Sequence, residues 1–531
     1  MPSWSKRLWW GIPVLAILVL VIVLFGEGGS KRENGGKVAQ AAPEPAVDRA
    51  PVRSTRRLPN VVFIYTDDQD EATFRRRYMP NTFRLLVDKG TLFTDSVTAT
   101  PICCPSRVSY ISGQYPHNSG VFSNNQGYPA LTDPNSTTAT WMQRAGYRTA
   151  WFGKYLQHYI RDRKPQEPAP GIDRWAVFYQ SEYYGYTLFG DGEKTEYGER
   201  PRDYVTDVLT REAVDLVERS ERPARPFYLT LNYLAPHGDD GEQNRRCEGL
   251  AVPARRDFGR YRNLELPRPP SFDEADISDK RAYPDSERID RRLAKKLVEV
   301  HQCRVESLQA VDRGVREIVD AVRRTGQLDR TVFVLTSDNG LLLGEHRLKG
   351  KGIPYEEGIG VPLTMRVPAR YLGSEPVPRV DELVANIDLA PTILDLAGAE
   401  PCVARDACRR LDGRSLAPLL GGRSGAWPSD RAVLIEGGGE KAKRCSYRGV
   451  RTANAVLIER TKEGPGQSCV TSSPPEVYDL RSDPFQLDNL TVTERESSSD
   501  LRTELQARLA RLERCSGIEG RERRSDAPYC D

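Results

Sequence analysis

Cys103-Cys104-Pro105-Ser106-Arg107 sets two sulfur side chains close to a guanidinium. The group does little for an apolar core and suits a reactive centre beside a fixed cation. It continues as Val108-Ser109-Tyr110-Ile111-Ser112-Gly113, a short helical run closed by glycine. A reactive side chain in the first turn of a helix meets free backbone N–H groups and the positive end of the dipole, which favour an anion. The competing reading of this motif alone is a buried or disulfide-bonded cysteine pair. Elsewhere, Asp67-Asp68 and Asp338-Asn339 offer hard oxygen ligands. Such a set suits Ca²⁺ or Mg²⁺ and suits Zn²⁺ poorly; an aspartate pair after a strand can also cap a helix.

These residues need elements to bring them together. Four apolar runs read as buried strands: Asn60–Thr66, Arg148–Phe152, Phe227–Tyr233 and Thr331–Ser337. They are followed by Asp67-Asp68, Gly153-Lys154, Ala235-Pro236-His237 and Asp338-Asn339-Gly340. In α/β sheets ligands bind outside the carboxyl ends of the strands, so four strands deliver chemistry to one edge. Val305, Leu308, Val311, Val315, Ile318 and Val322 recur at mostly three- and four-residue steps and predict a helix over about 297–324. The expected fold is α/β, a large mixed central sheet flanked by helices. After about residue 425, short strand-like pieces and a helical run over 500–514 predict a smaller antiparallel sheet with one helix. Residues 253–292, rich in Pro, Asp and Arg, read as a long surface loop. The expected division is a tail at 1–7, an apolar segment at 8–25, a linker at 26–57, a catalytic domain at 58–424 and a C-terminal subdomain at 425–531.

The CCPSR segment resembles the sulfatase signature C-x-P-S-R, and Gly113-Gln114-Tyr115-Pro116-His117-Asn118 is most similar to the N-acetylglucosamine-6-sulfatase-like branch. Asp388-Leu389-Ala390-Pro391-Thr392, Asp412-Gly413-Arg414-Ser415-Leu416, Tyr478-Asp479-Leu480, Asp483-Pro484 and Asp488-Asn489-Leu490 also resemble sulfatase segments. The resemblance covers roughly 58–492 and is weak around 240–290. It implies the alkaline-phosphatase-like sulfatase fold and an enzyme that hydrolyses sulfate esters. Register makes Cys103 the residue oxidised to formylglycine, because Cys104 lacks Pro and Arg at the required offsets. One hydroxyl of the hydrated aldehyde then attacks sulfur, and sulfate leaves as the aldehyde reforms. Asp67, Asp68, Asp338 and Asn339, with residue 103, match the family's ligands for one Ca²⁺, or Mg²⁺. Arg107, one helical turn on, is expected to reach back to the hydrate, and Lys154 and Lys351 to face the sulfate. His237 matches the histidine beside the leaving-group oxygen, an expected general acid. Many sulfatases carry histidine two residues after the Gly-Lys lysine; this chain has Leu156 there, with His158 two residues further. His117 and His346 are candidates for the pocket wall or for packing, and Gln69 for positioning the aspartates. The implied partners are a sulfated carbohydrate and a formylglycine-generating enzyme. Alternatives are a phosphonate or phosphodiester hydrolase of the same fold, or a non-catalytic surface binding protein.

The chain has 531 residues, with 77 basic and 74 acidic side chains for a net charge of +3. That balance, with no basic tract interleaved with aromatics, excludes an electrostatic case for nucleic acid. Lys6 and Arg7 precede the apolar run Leu8–Phe25, expected to act as a signal anchor with the catalytic part outside. Cleavage, for example near Ala39-Gln40-Ala41, would instead give a secreted form. Beyond Cys103 and Cys104, eight of the 10 cysteines remain, an even set that suits export and disulfides. Local spacing suggests 247–303, 402–408, 445–469 and 515–530.

Overall fold

The computed structural model describes residues 58–531 except 160–166, 179, 221–224, 241–245, 281, 284–285, 439–445, 464–468, 493–495 and 523–525. The apolar segment 8–25, the linker 26–57 and Cys445 lie outside the described residues.

The main sheet uses β1 (Asn60–Thr66), β2 (Thr91–Phe93), β3 (Arg148–Gly153), β4 (Arg174–Phe178), β5 (Thr187–Gly190), β6 (Glu193–Glu196), β7 (Phe227–Asn232), β8 (Thr331–Ser337), β9 (Leu363–Arg366) and β10 (Arg379–Val380). Its ten strands lie in the order β10-β2-β9-β8-β1-β7-β3-β4-β5-β6. The central run β8-β1-β7-β3-β4 is parallel. Antiparallel pairings flank it at β8–β9 and at β4–β5–β6. The long helices are α1 (Cys103–Ser112), α2 (Val205–Arg219), α3 (Arg291–Arg324), α4 (Leu389–Ala397) and α5 (Glu496–Leu512).

Every residue of β1 is buried, because both faces of the sheet are covered. Val61, Phe63 and Tyr65 pack with Val108, Tyr110 and Ile111 of α1 and with Leu389 and Ile393 of α4. Val62 and Ile64 point the other way, into Leu209 and Leu216 of α2 and Leu308, Val311, Val315 and Ile318 of α3. The four strands expected from apolar runs are β1, β3, β7 and β8. The α3 helix begins six residues before the periodic pattern does: Asp290 caps it by accepting from the Leu293 N–H at 2.7 Å. Its first turns are mostly charged and only partly covered, and their Leu293, Leu297 and Val300 pack with Leu266 and Leu343 in a small separate cluster.

The C-terminal sheet is antiparallel. It comprises β11 (Ala432–Gly437), β12 (Tyr447–Thr452), β13 (Ala455–Glu463), β14 (Cys469–Thr471) and β15 (Glu476–Asp479), with β15 also on β13. Leu505, Leu509 and Leu512 of α5 pack against it, and Val97, Tyr115 and Ile387 join it to the main body.

Among its described residues the segment 253–292 has neither helix nor named strand before α3, as expected. Most of its described residues are exposed or half-exposed, but Asp257, Ser271, Glu274 and Lys280 are buried and anchor the loop. A polar segment can be buried when its charges are matched. Lys280 Nζ, for example, donates to Glu274, Asp279 and the Leu487 carbonyl at 3.2, 2.9 and 3.1 Å. Disulfides join Cys247 to Cys303, Cys402 to Cys408 and Cys515 to Cys530, while Cys103 and Cys104 are free.

Candidate active site

Sheet register sets the site. Thr66 pairs with Ser337, Tyr65 with Asn232, and Asn232 with Gly153, so β1, β8, β7 and β3 end level. The next residues, Asp67-Asp68, Asp338-Asn339 and Lys154, therefore emerge at one edge, and His237 follows five residues beyond β7. Gly153 has to be glycine: its φ is +94°, and a Cβ there would lie 1.9 Å from the Asn232 carbonyl oxygen.

The α1 helix points its N-terminus at this edge. Cys103 is its first residue and is 1% exposed. Its Sγ lies 3.6 Å from Asp67 Oδ1 and 2.9 Å from Lys351 Nζ. Burial pushes the Cys103 thiol up to about 12 despite Lys154 and Lys351, so it is protonated at neutral pH. Lys351 Nζ also donates to both Asp68 oxygens, at 2.7 and 2.9 Å. Lys154 Nζ pairs with Asp67 Oδ2. His237 Nδ1–H donates to the Gly238 carbonyl at 2.6 Å, leaving Nε2 3.7 Å from Asp68 Oδ2. Burial, then Lys351, hold this imidazole below its ordinary range.

Asp338 Oδ1 accepts from the backbone N–H of Asp68 and of Asn339 at 2.9 and 3.0 Å. Burial and then the neighbouring Asp67 push Asp338 up to about 6, although Arg107 opposes this. Asn339 Nδ2 donates to Asp68 Oδ1 at 2.8 Å, and Asn339 Oδ1 is buried without a hydrogen-bond partner. Three crowded carboxylates and an orphaned amide oxygen are a donor set that fits a hard divalent cation. Asp67, Asp68, Cys103 and His237 also place one ligand atom each within 4.8 Å of one another. His237 was not expected among the candidate ligands.

A cavity of about 360 Å³ opens over these groups. Cys103, Lys154, His237 and Lys351 line it with Asn124, Gln157, His158, Gln180 and Asp240 among others. Leu156 and His158 both reach its wall. Arg107 is not among the lining residues, and its guanidinium is taken up by the neighbouring carboxylates. Nε and Nη2 donate to Asp338 Oδ2 at 3.0 and 2.9 Å, Nη1 donates to Asn232 Oδ1 at 3.0 Å, and Asp67 lies 3.3 Å away. One helical turn from Cys103, the side chain thus reaches Asp338 and Asp67 at the strand ends. His117 and His346 are packing residues, paired with Glu436 at 2.7 Å and Glu274 at 2.6 Å. Gln69 is buried and structural: its N–H donates to Ser337 Oγ at 2.8 Å, and its Oε1 accepts from the Thr66 hydroxyl at 2.9 Å.

Sequence reasoning did not single out Asn124, whose Oδ1 accepts from the Cys104 N–H at 2.9 Å, or Asp240. Asn124 sits on an irregular loop that no pattern marks. Asp240, three residues after His237, was within reach of the strand-end argument.

The profile of the family described as Sulfatase matches residues 59–399, and that described as N-sulphoglucosamine sulphohydrolase, C-terminal, matches 344–515. The chain is 32% identical over 478 residues to the extracellular sulfatase SULF-1 homolog of Drosophila melanogaster, covering 85% of this chain and 40% of that protein. It thus spans about two fifths of the fly protein's length. It is 31% identical over 504 residues to the N-acetylglucosamine-6-sulfatase of Homo sapiens, covering 88% of this chain and 86% of that protein. A solved structure titled as a complex with its substrate D-glucosamine-2-N,6-O-disulfate superposes with a TM-score of 0.67 at 22% identity, covering 85% of this chain and 97% of that one. The match over 59–399, more than half the chain, places it in the sulfatase family.

Proposed function

We propose that this chain hydrolyses sulfate monoesters on sulfated sugars, glucosamine sulfates first among them, using formylglycine at position 103 and a Ca²⁺ ion. The observation that carries the reading is the convergence of Cys103, Lys154, His237 and Lys351 on one cavity above Asp67, Asp68, Asp338 and Asn339. Asp67, Asp68, Asp338 and Asn339, with residue 103, would hold the cation, and Mg²⁺ is the alternative ion. Formylglycine and the cation together supply an oxygen nucleophile and a Lewis acid. Lys154 and Lys351 face the sulfate oxygens and stabilise the charge that builds there. His237 Nε2 stands at the cavity wall as proton donor to the leaving oxygen. The negative charge of a bound sulfate offsets the lysines that, with burial, hold the free ring neutral. Arg107 keeps Asp338 and Asp67 in place and is a positioning residue. The name of the human relative and the ligand in the structural relative's title support a glucosamine-type substrate.

The three disulfides among the described residues and the basic-then-apolar N-terminal segment support export, with Leu8–Phe25 as an anchor unless it is cleaved. Among the described residues no helix is long and apolar enough to cross a membrane. A formylglycine-generating enzyme acting on the CCPSR segment is the implied maturation partner.

Two measurements test the reading. Peptide mass spectrometry of the protein from its own host should find residue 103 lighter by about 18 Da than cysteine, an aldehyde in place of a thiol. That protein should cleave glucosamine 6-sulfate faster than a phosphonate monoester or a phosphodiester. Unmodified cysteine together with preferred phosphodiester cleavage would overturn it in favour of the other hydrolase class.

A further inference from the structure

Asp68 has a φ of +64°, the left-handed region that an L side chain enters at a cost. Two contacts hold its backbone there. Its N–H donates to Asp338 Oδ1 at 2.9 Å, and its carbonyl accepts from Arg304 Nη2. Arg304 comes from α3, across the sheet edge, and its side chain is 2% exposed. Its Nη1 pairs with Asp70, whose Oδ1 accepts from the Thr73 N–H at 2.8 Å. To make both contacts Arg304 leaves its Nε buried without a hydrogen-bond partner. Cys303, the preceding residue, is bonded to Cys247, which fixes this turn of the helix. Neither Arg304 nor Asp70 is among the residues lining the active cavity.

We infer that Arg304 is a positioning residue for the cation. By bridging the Asp70 carboxylate and the Asp68 carbonyl, it holds Asp68 in the left-handed conformation that presents its carboxylate as a ligand. The inference rests on reading Asp67, Asp68, Asp338 and Asn339 as a divalent-cation site. A guanidinium suits this role because its two Nη groups lie in one fixed plane and spread apart toward two acceptors; lysine's single nitrogen donates in several directions but has no such rigid fork.

The test is calorimetric titration of the full chain with calcium, for the natural protein, Arg304→Lys and Asp70→Asn. Arg304→Lys keeps the charge against Asp70 and should fold, with a metal-free melting temperature close to that of the natural protein. It should bind calcium about 10-fold to 100-fold more weakly, the usual effect of removing a partner that orients a ligand. Excess calcium should then restore its kcat/KM. Asp70→Asn keeps an acceptor for Arg304 and should weaken binding less. No calcium binding by the natural protein overturns the cation reading, and this inference with it. Natural-strength binding by folded Arg304→Lys overturns the inference alone. An Arg304→Lys chain that does not fold also overturns it, in favour of a purely structural ion pair.

Discussion

Asn339 donates its side-chain amide to Asp68 Oδ1 at 2.8 Å and keeps its own Oδ1 buried and unpartnered. An orphaned buried carbonyl costs free energy that a cation recovers. Calcium should therefore raise the melting temperature, and a chelator should lower it together with activity. At a hundredfold excess over Kd the stabilisation is about 2.7 kcal/mol. Asn339→Ala should lose most of that calcium-dependent rise. Identical melting curves with calcium and with chelator would sink the cation reading.

Cys103 and Cys104 are both buried, but only Cys103 lines the cavity. Cys103→Ala should lower turnover by ~10³-fold or more, with melting close to normal. Cys104→Ala should stay active and lose about 1 kcal/mol for the small void it leaves. Comparable activity in both variants, assayed on glucosamine 6-sulfate, would remove residue 103 from the chemistry.

His237 and Lys351 should separate by leaving group. A proton donor matters most for a poor leaving group, so His237→Ala should cost about 10²–10⁴-fold on a sugar sulfate. The same variant should lose much less on an aryl sulfate. Lys351→Ala should cost about 10²–10³-fold on both. Equal losses for His237→Ala on the two esters would assign the ring another role.

A pH prediction comes from outside the cavity. His117 donates from Nδ1 to Glu436 at 2.7 Å and from Nε2 to the Cys515 carbonyl at 2.9 Å, a pattern that needs the imidazolium. Burial opposes that charge, but Glu436 outweighs it and raises the pKa to about 9. The folded pKa lies above the unfolded value of about 6.5, so the contribution is complete below pH 6.5 and fades as pH rises through 9. Its size is on the order of 3 kcal/mol. Urea unfolding at pH 6 and pH 9.5 should show the natural protein losing stability and His117→Gln losing less. Equal losses in the two proteins would refute it.

The strand ends were legible because a parallel strand buried on both faces is an uninterrupted apolar run with an abrupt polar stop. Asp67, Lys154 and Asp338 each follow such a stop, and His237 comes five residues after another strand end. Lys351 lies on an irregular segment, and only the family pattern located it. Arg107 was placed on the right helix, but a residue number does not say whether a side chain turns up to a cavity or down to the strand ends; Asp338 and Asn232 decide that. The burial of Lys280 within the loop was hidden for a related reason, since its partners Asp279 and Glu274 are ordinary surface residues in composition.

Cys103 opens a helix that the sheet, Lys351 and Asp67 close over until 1% of the residue is exposed. Under the proposed conversion of residue 103, an enzyme that rewrites this side chain would have to reach it before the fold closes over it. The permissive interval would then end when the core assembles, and maturation would be a race between editing and folding. Chains that fold first would be sealed in the unedited form. A preparation should then contain two long-lived populations of equal shape and unequal competence, in proportions set during synthesis and unaltered by later incubation with the editor.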